Sequence, residues 1–300
     1  MSKHLAAKQQ VTQPTMIYQH NDFVDAAYRL TIPGKRVLSM ALGIVGNKNV
    51  KPDGTTRDEF GFISTITVAD YAAIFEVDIK NASTEMLAGV MDLSQTAATI
   101  YVERAKGRIE GNFTIIPLIY KTTASAARTE RGKYIIELHP ELMGYIGLLE
   151  RNFTAYDLLN CGRLTSFNQM RLYEQFSSHK NHGKKGGVNY GLWVTNFDFF
   201  RSDTFDLGDS IKDYPRTMKR RFLDAALDAI NDTTDLFVEF TDKGRGKPWE
   251  FKIYSGDIAD KKREKWRKER AEAELKAKEE KRLARLRKQI AAHQAEEATQ

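Results

Sequence analysis

The sequence predicts an α+β chain of two tandem winged-helix domains followed by a charged helical tail. Two observations predict it. Helices followed by a two-stranded hairpin with a basic tip occur once in each half of the chain. At about Asp257 the composition changes to Ala, Glu, Lys and Arg, with high helix propensity. The division that follows is an arm over 1–20, a first domain over 21–150, a second over 151–256 and a tail over 257–300.

In the first half, residues 1–20 are polar and read as a mobile arm. Apolar periodicity starts at Asn21, is interrupted by Pro33 and Gly34, and resumes at helical spacing with Val37, Leu38, Ala41, Leu42 and Val45. Gly46 to Arg57 reads as a polar loop. Thr67-Val-Ala-Asp70 has the form of a capping box, opening a short helix with Tyr71, Ile74 and Phe75 on one face. A further helix starts near Asn81 and carries Met86, Leu87, Val90 and Met91. Two strand-like runs follow, Phe113 to Tyr120 and Lys133 to His139, joined by a polar stretch with Arg128 and Arg131.

The second half repeats this order without residue-level identity. Arg163 to His179 reads as a helix, and Val194 to Phe200 as a short apolar one. Asp213 and Pro215 open a long helix, the Asp as cap and the Pro in the first turn, that runs to about Asn231. Leu236, Val238 and Phe240 alternate, as do Trp249, Phe251 and Ile253, around a turn with Lys243, Arg245 and Lys247.

The helix after Pro215 is the most informative segment. At about 100° per residue, Arg216, Lys219 and Arg220 fall within about 100° of one another. Met218, Phe222, Ala225 and Ala229 fall opposite, and Leu223, Leu227 and Ile230 take over the basic azimuth further on. The first two turns are then expected to protrude and the last two to be buried, as a helix entering the DNA major groove requires. An amphipathic surface helix with a solvated basic stripe is the alternative. Beside it, Lys212 and a basic hairpin favour DNA, since Lys243, Arg245 and Lys247 can lie along phosphate. In the first half the corresponding residues are Lys80, Asn81, Ser83 and Thr84 at a helix start, with Arg128 and Arg131 on the hairpin. They suit phosphate, and they are also ordinary capping residues.

Charge placement limits what can be inferred from composition. The 300 residues carry a net +6, and residues 261–288 alone hold 14 Lys/Arg against 6 Asp/Glu, a net of +8, leaving −2 for the rest. The tail's leucines do not keep a heptad spacing, so it reads as a solvated helix, with a non-specific grip on DNA by its charge run as the alternative. The single cysteine, Cys161, excludes an intramolecular disulfide framework and a Cys-rich zinc site. His179 and His182 lack nearby acidic or Cys partners and make a weak metal site, so no metal or cofactor is expected. No phosphate-binding G-x-x-x-x-G-K-[ST] loop, His-hydrophobic-His pair or other catalytic set is evident, which argues against an ATPase or a nicking enzyme. No signal peptide or membrane-length apolar run is read, so a cytoplasmic location is expected.

Four stretches in order resemble the initiator replication proteins of iteron-containing bacterial plasmids, over about residues 17–255. They are Asn21 to Thr31; Phe153-Thr-Ala-Tyr-Asp-Leu-Leu159; Leu164-Thr-Ser-Phe-Asn-Gln-Met-Arg-Leu-Tyr-Glu174; and Phe222 to Asp235 with its Ala-Ile-Asn-Asp-Thr-Thr-Asp end. The resemblance implies two winged helices, no enzymatic activity, and binding to repeated origin sites in double-stranded DNA. It implies monomers that open the origin and homodimers that repress the protein's own promoter, with a host initiator and replicative helicase as partners. It assigns base reading to Arg216, Lys219 and Arg220 and further DNA contact to Lys80 to Thr84. Asn168 and Gln169 depart from the Tyr-Ala usual in the third stretch, and the charged tail is not a general family feature. A dedicated winged-helix repressor without initiator activity is the alternative reading.

Overall fold

The computed structural model describes residues 15–49, 62–101, 112–124, 132–146, 149, 152–182, 189–212, 214–244 and 246–297. Its first element is a strand, β1 (Met16–His20), antiparallel to β7 (Phe153–Asp157) with Met16 opposite Asp157. Residues 16–20 of the arm expected over 1–20 therefore belong to a paired strand, and residues 1–14 lie outside the described residues. Alternation within β1 explains the strand: Ile17 and Gln19 turn inward and are buried.

Helix α1 (Asn21–Asp25) leads to α2 (Ile32–Asn49), which contains Pro33 and Gly34 in its first turn, where a proline costs no hydrogen bond. Val37, Leu38, Ala41, Leu42 and Val45 are all fully buried, as their spacing predicts. Strand β2 (Ile63–Thr67) ends in the N-cap of α3 (Val68–Phe75): Thr67 Oγ1 accepts from the Asp70 amide at 3.1 Å. A turn through Glu76, in the left-handed region at φ 53°, joins α4 (Ile79–Ser94), capped by Asp78. Gly89 on α4 permits close approach to α2; a Cβ there would lie 2.5 Å from the Pro33 carbonyl oxygen. Strands β3 (Ala97–Tyr101) and β4 (Phe113–Pro117) form a hairpin not expected from the sequence, before β5 (Ile119–Ala124) and β6 (Lys133–Leu138). A short helix α5 (Met143–Ile146) follows, and α6 (Leu158–Gly162) succeeds β7.

The second unit comprises α7 (Phe167–His179), β8 (Gly191–Thr195), α8 (Phe197–Arg201), α9 (Asp209–Lys212), α10 (Pro215–Met218), α11 (Asp224–Thr233), β9 (Leu236–Asp242) and β10 (Trp249–Ser255). Val194 and Thr195, expected in a helix, belong to β8, whose side chains alternate buried and exposed. The two three-stranded sheets have matching topology, β2-β6-β5 and β8-β10-β9, so the internal repeat is one of architecture. An aromatic core supports the second sheet, with Trp193 stacked on Phe251 at 5.1 Å and Phe200 on Phe205 at 5.4 Å.

Two features revise the expected division. The boundary at 150/151 falls just ahead of β7, which is hydrogen-bonded to β1. Helix α7, meanwhile, reaches back into the first unit through a buried ionic cluster. Lys35 Nζ donates to Glu174 Oε1 at 2.6 Å and to the Tyr28 hydroxyl at 2.7 Å. Arg171 donates to Glu174 Oε2 at 2.8 Å and to the carbonyls of Val24 and Ala26, each at 2.7 Å. Burial opposes the charge on Glu174, but Lys35 and Arg171 outweigh it and hold the carboxyl below its usual range.

The tail is α12 (Asp257–Glu297), continuously helical. The solvated helix expected there does not describe its start. Its first turns dock on the second unit: Arg263 donates to the carbonyls of Asn231 at 2.7 Å, Thr234 at 2.5 Å and Leu236 at 3.1 Å. Trp266 packs edge-on to Phe237, and Lys262 pairs with Glu239 at 2.6 Å.

Candidate nucleic-acid interface

The interface is built on the segment from Pro215 to Thr233. Tyr214 is the N-cap, extended at φ −132°, with no side-chain cap bond, and Pro215 occupies the first turn. Asp213, the cap expected from sequence, lies outside the described residues. Between α10 and α11, residues Lys219–Leu223 form a π-helical turn. An i→i+5 turn accommodates about one residue more than an α turn, which rotates everything downstream by about 100°.

That rotation changes the expected faces. In an uninterrupted α-helix, Leu223, Leu227 and Ile230 would share the azimuth of the basic residues. With the π turn they swing onto the core side with Met218 and Phe222, and all five are buried. Ala225, expected on the buried side, is exposed. The helix thus keeps a single solvent face along its length, beginning with Arg216 and Arg220 and continuing with Asp224, Asp228 and Asp232. The core side is fixed by Met218, fully buried, and by Phe222 against Phe205 at 5.6 Å.

Arg216, Arg220 and Arg221 are exposed and, among the described residues, form no ion pair. Sequence reasoning missed Arg221, because an ideal helix directs it away from Arg216; the π turn brings it round. Tyr214 was also missed and is exposed at the helix start. Lys219 differs from its two expected partners. Its ammonium is bound to Asp224 at 2.8 Å and lies 5.9 Å from the Phe240 ring centroid, so it buttresses the helix against β9. Lys212 is half-buried at the end of α9, 3.6 Å from Asp203.

The β9–β10 hairpin stands beside this helix. Its turn uses Gly244 at φ 98° and Gly246 at φ 73°, both in the left-handed region with open space around them, so backbone conformation is the reason for glycine. The Gly244 amide donates to Asp242 Oδ1 at 2.9 Å. Lys243 is engaged with Glu250, whereas Lys247 is exposed. Arg245 lies outside the described residues.

In the first unit, α3 and α4 form a helix-turn-helix, and Lys80, Asn81, Ser83 and Thr84 are exposed together on the first two turns of α4. Ala82, Met86, Gly89, Val90 and Leu93 hold its other side in the core. Arg128 and Arg131, on the loop between β5 and β6, lie outside the described residues. Among the described residues no group of three or more His, Cys, Asp or Glu could hold a metal ion, and no helix is long and apolar enough to cross a membrane. His179, half-buried, stacks on Trp193 at 5.0 Å, and its Nδ1 lies 2.9 Å from the Gln175 carbonyl oxygen.

Two winged-helix units, each exposing the start of the second helix of a helix-turn-helix beside a hairpin, define a tandem winged-helix protein of the nucleic-acid-binding type. The family model of the first winged helix of initiator replication proteins matches residues 16–177, and that of the second matches residues 202–253. The chain belongs to the initiator replication protein family. It is 33% identical over 236 residues to an uncharacterised 27.6 kDa protein of Escherichia coli, covering 77% of this chain and 91% of that one. It resembles the Pi initiator protein, solved in complex with iteron DNA, with a TM-score of 0.59 at 20% identity over 82% of this chain and 99% of that chain. A structure of RctB domains 2–3 aligns at a TM-score of 0.38 and 13% identity, covering 78% of this chain and 86% of that one. The first family match extends through most of α7, in keeping with the Lys35–Glu174–Arg171 cluster that ties this helix to the first unit.

Proposed function

We propose that this chain is a plasmid replication initiator that binds directly repeated origin sites in double-stranded DNA. The observation that carries the reading is the start of the Pro215–Thr233 helix, where Arg216 and Arg220 stand exposed and, among the described residues, free of ion pairs. In a major groove each can make a bidentate contact to guanine, worth about 1–3 kcal/mol of discrimination. Lys247 and Arg245 on the hairpin contact backbone phosphate, and Lys80, Asn81, Ser83 and Thr84 of the first unit engage a second stretch of the duplex. Two reading heads on one chain raise the effective concentration of the second once the first is bound.

In this reading the protein acts without catalysis of its own. Monomers open the origin, homodimers repress the promoter of the gene, and a host initiator and helicase are recruited. Footprinting on DNA flanking the gene tests it. Evenly spaced protections about two helical turns apart support initiation at repeats; a single palindromic footprint supports a dedicated repressor instead.

A further inference from the structure

The direction in which α12 is docked has a consequence for DNA binding. Positions further along α12 meet earlier positions of the segment on which it docks, from Asn231–Leu236 at Arg263 back to Asp228 at Arg270. Arg263 binds the carbonyls at Asn231 and Thr234, Arg267 binds Asp232 at 2.8 Å, and Arg270 binds Asp228 at 3.2 Å. The two helices therefore run antiparallel, and the distal end of α12 points the same way as the start of α10. With Arg267 beside Asp232 and a rise of about 1.5 Å per residue in both, residues 278–285 of α12 come level with the first turns of α10 and the π turn.

The charge pattern of α12 changes where it passes this level. Upstream, its exposed ions are matched along the helix: Glu264 with Lys268 at 2.8 Å, Lys265 with Glu269 at 3.7 Å, and Arg270 with Glu274 at 3.6 Å. Downstream, Lys278, Lys281, Arg282 and Arg285 fall at i, i+3, i+4 and i+7, within an arc of about 100°. That arc overlaps the azimuth which, nearer the body, carries Arg263, Arg267 and Arg270. All four residues are exposed and, among the described residues, none is in an ion pair. Lys278 with Arg282 and Lys281 with Arg285 are like-charge i, i+4 pairs, which destabilise an isolated helix. A phosphate backbone lying along this face would relieve that repulsion.

We infer that the distal half of α12 is a third DNA contact, a basic face of Lys278, Lys281, Arg282 and Arg285 that grips the phosphate backbone beside the groove entered by Arg216 and Arg220. The inference rests on the proposed reading of α10 as the DNA-entering helix. Each phosphate neutralised on B-DNA adds about 0.9 to the slope of log affinity against log salt.

The test uses the full-length chain and a labelled duplex holding one repeat with flanking sequence, by anisotropy across a salt series. The double variant Lys281→Gln/Arg285→Gln is compared with Lys276→Gln/Arg287→Gln, which removes the same charge from the opposite side of the helix. The first pair is expected to reduce the slope by about 1.8, and the second to leave it unchanged. Both pairs retain the wild-type preference for the repeat over a shuffled duplex. Equal effects from the two pairs, or no change from the first, overturn the inference. A wild-type chain with no preference for the repeat overturns the proposed function instead, whatever the slopes do.

Discussion

Glu174 is the anion in a buried cluster with two cations, and its neutralisation should be among the most costly single changes in the protein. Lys35, Arg171 and Glu174 have side chains with 0% exposure, so the cluster already carries one positive charge in excess. Glu174→Gln keeps the shape but leaves Lys35 and Arg171 facing each other without a counter-ion. It also turns one of the two acceptor oxygens into a donor, confronting a cation or the Tyr156 hydroxyl, which donates to Glu174 Oε1 at 2.6 Å. Removing one partner of a buried pair costs about 3–5 kcal/mol. Lys35→Met removes the surplus cation instead. It leaves Arg171 and Glu174 balanced, and the loss is limited to the hydrogen bonds of one ammonium, about 2 kcal/mol. In urea, with a slope of about 2 kcal/mol per M, Glu174→Gln should lower the midpoint by about 2 M and Lys35→Met by about 1 M. Circular dichroism during urea titration, with tryptophan fluorescence as a second probe, measures both. If Lys35→Met proves as costly as Glu174→Gln, charge balance is not what holds α7 to the first unit.

Four other outcomes are expected. Arg220→Ala should weaken binding to the repeat by about tenfold or more while changing binding to random duplex far less, as competition anisotropy would reveal; equal losses would remove its base-reading role. Lys247→Ala should instead lower affinity for all sequences alike and reduce the salt slope by about 0.9, and a changed sequence preference would contradict a backbone role. Burial lowers the pKa of His179, so the folded protein holds it neutral while the unfolded chain takes up a proton near its ordinary 6.5. Stability should therefore fall as pH drops below about 6.5, and His179→Gln should flatten that decline in urea midpoints measured between about pH 7 and 5.5. Burial pushes the Cys161 thiol up to about 12, so a thiol reagent at about pH 8 should label it only on unfolding, and rapid labelling of the native protein would show the site to be open.

What could be read from the sequence divides along the range of the interactions involved. The capping box at Thr67, the buried face of α2 and the β9–β10 hairpin are local patterns, and each is found where its residues place it. The missed strands are not local. Met16–His20 holds a tyrosine, a glutamine and a histidine among five residues, and it becomes a strand through pairing with Phe153–Asp157, whose residues lie 133 to 141 positions further along the chain. The third family-like stretch shows the same limit. Its Arg171 and Glu174 read as ordinary residues of an amphipathic helix, yet both are fully buried, because Lys35 and the Val24 and Ala26 carbonyls await them. At the interface, the basic start and apolar end of the Pro215–Thr233 segment are visible by eye, but the π turn that aligns them is not. A period of about 3.6 applied through Lys219–Leu223 puts the buried Leu223, Leu227 and Ile230 on the basic azimuth, places the exposed Ala225 on the buried side and overlooks Arg221.

The π turn also decides where the acidic residues of this helix stand. By rotating the second half of the helix, it sets Asp224, Asp228 and Asp232 on the same solvent face as Arg216 and Arg220. Left bare, that acidic run would stand directly behind the DNA-entering turns. Each carboxylate is instead met by a cation: Asp224 by Lys219 within the helix, Asp228 by Arg270 and Asp232 by Arg267 from α12. The cost of exposed pairs is small and so is their individual gain, commonly under about 1 kcal/mol. Their value here is positional. The two pairs made by α12, with Arg263 bound to the carbonyls of Asn231, Thr234 and Leu236, select one direction for α12 out of many. The body's acidity is then the complement of the docked part of the tail. The tail's remaining positive charge is carried past the body, toward the end of the helix at which Arg216 and Arg220 stand.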